Sequence, residues 1–423
     1  MASPQPRESL AFRFRALRHR NFRLFWGGQL VSVVGTWMQS VAQGWLMHRL
    51  TSSPLMLGLL GFCQFLPVTL FSLWAGVVVD RVDKRRLILI TQTLALLQAA
   101  ILAVIVTAGI VQPWMVLALA LAFGVINAFD LPARQSFLIE LVGKEDLSNA
   151  IALNSAAFNT ARVFGPAVAG VLLATIGEGG CFWLNALSYL AVLAALVAMT
   201  PVGRRERRDS SATLMDGVRY AWSLPQVRNL LVLLGIAAGL GFQYSVLLPV
   251  YARDILKAGA PAYGLMMTAF GLGSLVSAMW MTRQLSRWDL RRNLQIGLVT
   301  GGLGMGFFAW SRWLPLTFAM GFLAGFGLIL YVASTNTMVQ LTIEDRFRGR
   351  VMSLYTLMFI GTAPLGALLA GGIAQRAGAP VATSVCAVIL LGSALWVSYR
   401  LRVIRAREAE AAAAAETFPE RMA

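Results

Sequence analysis

Gly76-Val77-Val78-Val79-Asp80-Arg81-Val82-Asp83-Lys84-Arg85-Arg86 separates two long apolar runs, and this alternation of apolar block and short charged turn decides the fold. Residues 54–79 before the turn and 87–109 after it carry no charged side chain. Each run is about the length, roughly 20 residues, that a helix needs to cross hydrocarbon. The pattern continues in both directions and predicts twelve spans, at 22–49, 54–79, 87–109, 113–134, 148–175, 181–200, 227–252, 262–283, 291–311, 314–338, 350–374 and 379–401. Spans in lipid are helical, because an open sheet would leave backbone groups unpaired, and these runs lack the alternation of barrel strands. Of the 423 residues, 57% are apolar and 13% charged, against roughly 25% charged in soluble domains. An ordinary water-soluble enzyme is excluded.

The chain carries 36 Lys and Arg against 19 Asp and Glu, a net charge of +17. Such a balance raises the question of nucleic acid, but the basic residues form short clusters between apolar blocks with no aromatic interleaving, so no nucleic-acid partner is expected. With the N-terminus inside, the cytoplasmic segments hold 30 of the 36 basic residues. The outer segments hold Arg49, Arg253, Lys257, Arg312 and Arg376, while Arg162 falls within a span. This asymmetry predicts an even number of spans with both termini in the cytoplasm of a multi-pass membrane protein. Cys63, Cys181 and Cys386 are too dispersed for a disulfide framework or a metal site. The first apolar block is too long for a signal-peptide core, so no cleaved leader is expected.

Composition changes abruptly after the sixth span, dividing the chain into a segment 1–21, a six-helix bundle 22–200, a linker 201–226 containing the amphipathic stretch 214–224, a second bundle 227–402, and a charged, Ala-rich tail 403–423. Landmarks recur between the bundles in the same order. Arg20-Asn21 returns as Arg228-Asn229, Ser53-Pro54 as Ala260-Pro261, the Asp83–Arg86 turn as Asp289–Arg292, and Glu145-Asp146 as Glu344-Asp345. The near-constant spacing predicts parallel repeats related by an axis along the membrane normal, as in carriers that hold substrate between two halves.

On the turn at 76–86 the sequence resembles the major facilitator superfamily, whose loop signature is G-x-x-x-D-R-x-G-[RK]-[RK]; Asp83 replaces the usual glycine. The resemblance implies an all-α membrane protein of two six-helix bundles and a cytoplasmic latch built from Gly76, Asp80, Arg81, Lys84, Arg85 and Arg86, with Asp130 and Arg134 of the fourth span as further members. In that latch Gly76 lets helix backbones approach, and Asp80 accepts from the positive N-terminus of a helix in the other half. Read blandly, the same turn is a topology-fixing basic cluster. Gly165-Pro166 and Gly170 of the fifth span resemble the superfamily's exporter signature, a bend with a flat small-residue face, and Gly361-Thr362-Ala363-Pro364 is a looser counterpart. Trp45 to Leu57, Pro132-Ala133-Arg134-Gln135 and Arg348-Gly349-Arg350 are similar to the bacterial efflux branch that includes the enterobactin exporter and macrolide efflux carriers.

Arg162 lies near mid-bilayer, where an uncompensated Arg costs roughly 2.5 to 3.5 kcal/mol on a translocon scale. Two readings stay open: it meets an anionic or polar group of the substrate or its coupling partner, or it is satisfied structurally by carbonyls and by Asn159 or Asn154. Further candidate pocket residues are Thr36, Gln39 and Gln43 of the first span, Gln64 of the second, Gln243 and Tyr244 of the seventh, and Tyr331 and Asn336 of the tenth. Each is as suited to bridging helices as to touching substrate. Asp130 sits near the cytoplasmic edge, as a latch partner for Arg85 or Arg134 and less as a proton carrier. The first span carries no acid, so proton coupling rests on the resemblance alone.

No Walker loop, no zincin motif and no paired histidines occur, and Gly301-Gly302-Leu303-Gly304-Met305-Gly306 sits inside a span without a preceding strand. The expectation is therefore a secondary-active exporter, not an enzyme, without cofactor or metal, acting as a monomer in the bilayer on amphipathic small molecules such as a drug or siderophore, with protons as the coupling ion. An importer or lipid mover of the same fold, and a transport-dead sensor or scaffold, are the alternatives.

Overall fold

The computed structural model describes residues 14–200, 214–241, 243–281 and 287–417. Local signals set the helix ends. Ser53 accepts from the backbone N–H of Met56 and precedes Pro54, while Asp83 accepts from that of Arg86 at 2.8 Å. Asp83, where the loop signature has glycine, is thus an N-cap, with its side chain satisfying an orphan donor of the next helix. Proline at the first turn costs no hydrogen bond and starts helices at Pro54 and Pro113. Gly143 and Gly378 close helices with φ of 75° and 88°, a region that a Cβ disfavours.

The long helical segments are α1 (Arg20–Thr51), α2 (Pro54–Arg81), α3 (Lys84–Thr107), α4 (Pro113–Val142), α5 (Leu147–Thr175), α6 (Gly177–Ala198), α7 (Pro225–Ile255), α8 (Gly259–Met281), α9 (Arg287–Trp310), α10 (Leu314–Thr342), α11 (Asp345–Ala377) and α12 (Ala379–Thr417). No strand occurs among the described residues. Ten of these are long and apolar enough to cross a membrane; α1 and α9 are long enough but more polar. Gln29, Gln39 and Gln43 lower the apolarity of α1, and Arg291, Arg292 and Asn293 that of α9. Two spans are interrupted. α7 is interrupted at Gln243, a turn residue ahead of Tyr244, and ends in a π turn, Tyr251–Ile255, and α11 breaks at Gly361-Thr362 ahead of Pro364. α12 continues as helix through the Ala-rich segment to Thr417.

Packing repeats with a shift of six helices. α1 packs on α5 and α6, α2 on α4, and α3 on α4 and α6; correspondingly α7 packs on α11 and α12, α8 on α10, and α9 on α10 and α12. The two six-helix bundles meet where α2 packs on α11, α5 on α8, and α1 and α2 on the second part of α7.

On the side of the chain ends, each bundle clamps the segment that enters it. Arg15 Nε lies 2.5 Å from Asp146, His19 Nε2 lies 2.8 Å from the same carboxylate, and the Ala16 N–H donates to Asn149. In the second bundle the linker helix Leu214–Ser223 places Tyr220 on Phe347, with ring centroids 4.0 Å apart, and the Tyr220 hydroxyl accepts from the Glu344 N–H. Both docks fall at the paired Glu145-Asp146 and Glu344-Asp345 landmarks. A hydrogen bond from His19, with Arg15 and Arg18 nearby, holds the Asp146 carboxyl below its ordinary range. A depressed carboxylate favours the docked form above its free titration point and loses that contribution as pH falls. Amide exchange over residues 15–19 is therefore expected to accelerate as pH drops below about 4, beyond the intrinsic change, and Asp146→Asn should remove the excess.

Candidate functional site

The bundles are zipped together on the far side, opposite the chain ends. Gly58 of α2 and Gly371 of α11 face each other so closely that a Cβ on Gly371 would stand 2.7 Å from the Pro54 carbonyl oxygen and 2.8 Å from Gly58 Cα. Gly170 and Gly264 make the equivalent approach between α5 and α8, with a Cβ on Gly264 falling 2.8 Å from Gly170 Cα. Side chains add to the seam: Ser53 Oγ donates to Gln375 at 2.7 Å, Trp45 stacks on Tyr263, and His48 meets Asp254 at 2.8 Å. Small residues permit such backbone contact in lipid, and Gly165, Pro166 and Gly170 of the bend signature all lie on it or beside it, Gly165 against Trp37 of α1.

Arg162 stands two turns deeper along the same seam, about 12 Å from Gly170 at 1.5 Å per residue. Its Nη2 donates to Ser274 Oγ of α8 at 2.9 Å, and the Tyr244 hydroxyl is within the guanidinium's reach. Tyr244 is stacked on Phe270 with centroids 3.7 Å apart. No carboxylate pairs with Arg162 among the described residues. Asn159 is turned to its own helix, donating to the Ser155 carbonyl. The structure thus joins Arg162 and Tyr244, from opposite bundles, at one place; Ser274, the residue between them and α10, was not singled out from sequence, although the small run Gly271-Leu272-Gly273-Ser274 marks a close-packed face.

Towards the chain ends the contacts thin out. A Cβ on Gly76 would have nothing within 4 Å, so the close approach expected there is not made in this conformation. Asp80 and Arg81 are exposed, and Arg86 too. The other basic residues of the turn are engaged inside the first bundle: Lys84 Nζ pairs with Glu140 at 2.6 Å, and Arg85 donates to the Leu196 and Val197 carbonyls at the end of α6. Cations at that helix end suit its partial negative charge.

Several polar candidates lie inside the first bundle. Gln39 donates to Gln98 and accepts from Asn185, tying α1 to α3 and α6; Gln43 donates to the Val116 carbonyl of α4; and Thr36 donates to the Ser32 carbonyl and touches the Tyr189 hydroxyl. Gln39 is 2% exposed, and all its polar atoms that could face a solute are taken by helix neighbours. Asp130 is buried and accepts from Thr91 at 2.6 Å and Gln92 at 2.9 Å, while Arg134 Nε approaches it at 2.5 Å without an N–H aimed along the contact. Arg85 is not its partner. Gln64 is half-buried on α2. In the second bundle Gln243 stands at the N-cap position of the Tyr244–Val250 part of α7 with no side-chain cap hydrogen bond, Tyr331 lies buried beside Thr335 with neither hydroxyl in a well-formed hydrogen bond, and Asn336 accepts from Gln340. A separate cleft of about 450 Å³ opens between α7 and α12; its lining, including Val232, Ile236, Ile389 and Trp396, is apolar and suits hydrocarbon chains more than a polar solute.

This architecture has known counterparts. A bacterial homologue of the human lysosomal transporter Spinster, solved inward-facing and unoccupied, superposes with a TM-score of 0.67 over 92% of this chain and 97% of that one at 15% identity. The nucleoside transporter NupG gives 0.71 over 90% and 98% at 13% identity. Among sequence relatives, the staphyloferrin A transporter of Staphylococcus aureus is 26% identical over 352 residues, covering 82% of this chain and 88% of that protein. The multidrug efflux pump Tap of Mycolicibacterium fortuitum is 28% identical over 364 residues, with the same coverage. The family model described as transmembrane secretion effector matches residues 11–423, and the chain belongs to that family of major facilitator superfamily membrane transporters.

Proposed function

We propose that the protein is a secondary-active exporter of amphipathic small molecules, of drug or siderophore type, that rocks the bundle 22–200 against the bundle 227–402 about a site at Arg162 and Tyr244. The linker 201–226 joins the bundles, and the segments 1–21 and 403–423 lie with it in the cytoplasm of a bacterial cell. The observation that carries the reading is the single mid-depth guanidinium on the seam, held by a hydroxyl of the opposite bundle and by no described carboxylate. A neutral partner leaves the charge available to an anionic group of the solute, whose binding then competes with the Ser274 contact. Thr36, Gln39, Gln43 and Asn159 shape the first bundle around this site, while Gln64, Gln243, Tyr331 and Asn336 are its more distant polar surroundings. A closed far side with an open latch is the inward-facing state, from which the cargo is loaded.

The coupling ion is proposed to be the proton and the working unit the monomer. Purified protein in liposomes, with a pH gradient imposed, should move substrate against its concentration, and flux indifferent to the gradient would reject proton antiport. In the outward-facing state Asp80, Arg81 and Arg86 are to engage the other bundle, so Asp80→Asn is expected to lower flux by about tenfold, the worth of one charge-assisted hydrogen bond, with insertion unchanged. Undiminished flux would reject the latch.

A further inference from the structure

His48 and Asp254 meet on the far side of the seam, 206 residues apart in the chain, and neither belongs to the site or latch described above. His48 closes the last turn of α1, and its side chain is 1% exposed. Asp254 lies in the π turn that ends α7, where the i to i+5 bond from Leu256 to Tyr251 inserts an extra residue and turns the carboxylate towards α1. Such π turns mark sites at which a side chain has been re-aimed. The Asp254 side chain is 48% exposed, so the pair has a route to the far-side solution.

The hydrogen bonds define which form of the imidazole fits. Nε2 faces the carboxylate at 2.8 Å and is the protonated nitrogen, because a carboxylate only accepts. Nδ1 is buried with no partner. In the neutral ring Nδ1 is a bare lone pair, and protonation would turn it into a buried N–H with no acceptor. Of the surrounding charges, the Asp254 carboxylate favours a protonated ring, whereas burial and the positive charge of Arg253 oppose one. Arg253, next to Asp254, donates to the His48 carbonyl at 3.3 Å and adds positive charge beside the ring. Arg49 is occupied by Glu178 of α6, Lys257 is exposed beyond the π turn, and Tyr263 is the ionisable group on α8.

We infer that His48 and Asp254 form a proton-sensitive outer lock, closed with neutral imidazole and opened when the far-side solution protonates His48. Resting on the two-bundle rocking proposed above, it adds a regulator to that motion. The proton enters and leaves from the same side, because the closed seam lies between the lock and the chain-end side. The lock therefore sets how readily the far side opens and does not itself carry protons across. Acid on the far side favours the outward-open form.

The test places spin labels on the far-side turns of the two bundles, through Ile110→Cys and Trp313→Cys in a background without the native cysteines, and reads the distance between them by double electron–electron resonance. Between pH about 7.5 and about 5.5 the open-to-closed ratio is expected to rise about tenfold, the factor that follows when only the open form takes up a proton near the ordinary imidazole value. His48→Gln, whose amide still donates to Asp254, should stay closed at both pH values. Asp254→Asn, which keeps an acceptor at the exposed partner, should retain the pH response and guards against loss of folding in the first variant. An unchanged distance in the wild-type protein, or an undiminished shift in His48→Gln, overturns the lock. Substrate flux measured in the same samples separates the two ideas: a pH-driven shift without flux leaves the lock standing and removes the exporter, and flux without a shift does the reverse.

Discussion

Gly264→Val is expected to abolish transport while leaving a folded protein whose far ends are held apart. Any Cβ at residue 264 falls 2.8 Å from Gly170 Cα and still closer to the Pro166 carbonyl oxygen. These obstacles are backbone atoms of a helix, which no rotamer change can move aside. Overpacking of this kind costs about 3 kcal/mol, roughly a hundredfold in the closed-to-open ratio of the seam. The cost falls on one conformation only, because α8 packs on α10 within its own bundle and meets α5 solely across the seam. Far-side cysteine accessibility should rise and substrate flux fall to background, with thermal stability in detergent close to wild type. Gly366→Ala is the contrasting case: its Cβ would strike the Gly239 carbonyl of α7 inside the second bundle, so loss of folding is expected instead. Wild-type flux in Gly264→Val would mean that the far side never needs to close this tightly.

Arg162→Ala should weaken binding of anionic ligands by about ten- to a hundredfold, the worth of a hydrogen bond to a charged group, 1.5 to 3 kcal/mol. Neutral amphipathic ligands should lose far less. Thermal-shift titrations of the purified protein with paired anionic and neutral ligands check this. Arg162→Lys keeps the charge but lacks the planar fork, and should restore part of the anionic preference. Equal losses for both ligand classes would assign Arg162 to helix packing through Ser274 and remove it from the substrate site.

Much of the scaffold was legible in one dimension because lipid leaves few choices. A run such as 87–109 must be a helix, and the caps at Ser53 and Asp83 follow from local chemistry. The repeated landmarks were equally readable, and both Glu-Asp pairs prove to be docking points for the segment entering their bundle. The facing of polar side chains was not. Gln39 and Gln43 are four residues apart and so share one face of α1, but only the positions of α3, α4 and α6 show that this face points into the bundle. Asp130 was similarly ambiguous: its spacing to Arg134 was visible, whereas Thr91 and Gln92 came from another helix with no sequence signal to announce them.

Composition and the order of apolar runs determined, without any coordinates, that the chain is a helical membrane protein of repeated halves with a charged turn after the second span. Periodicity and hydropathy act over tens of residues, and they suffice for that. Which glycines touch, which side of the seam is shut, and that His48 finds Asp254 were decided by tertiary structure, because contacts across 206 residues depend on how two rigid bundles are set against each other. The rocking proposed here requires more than one such setting for a single sequence, and local chemistry cannot choose among them.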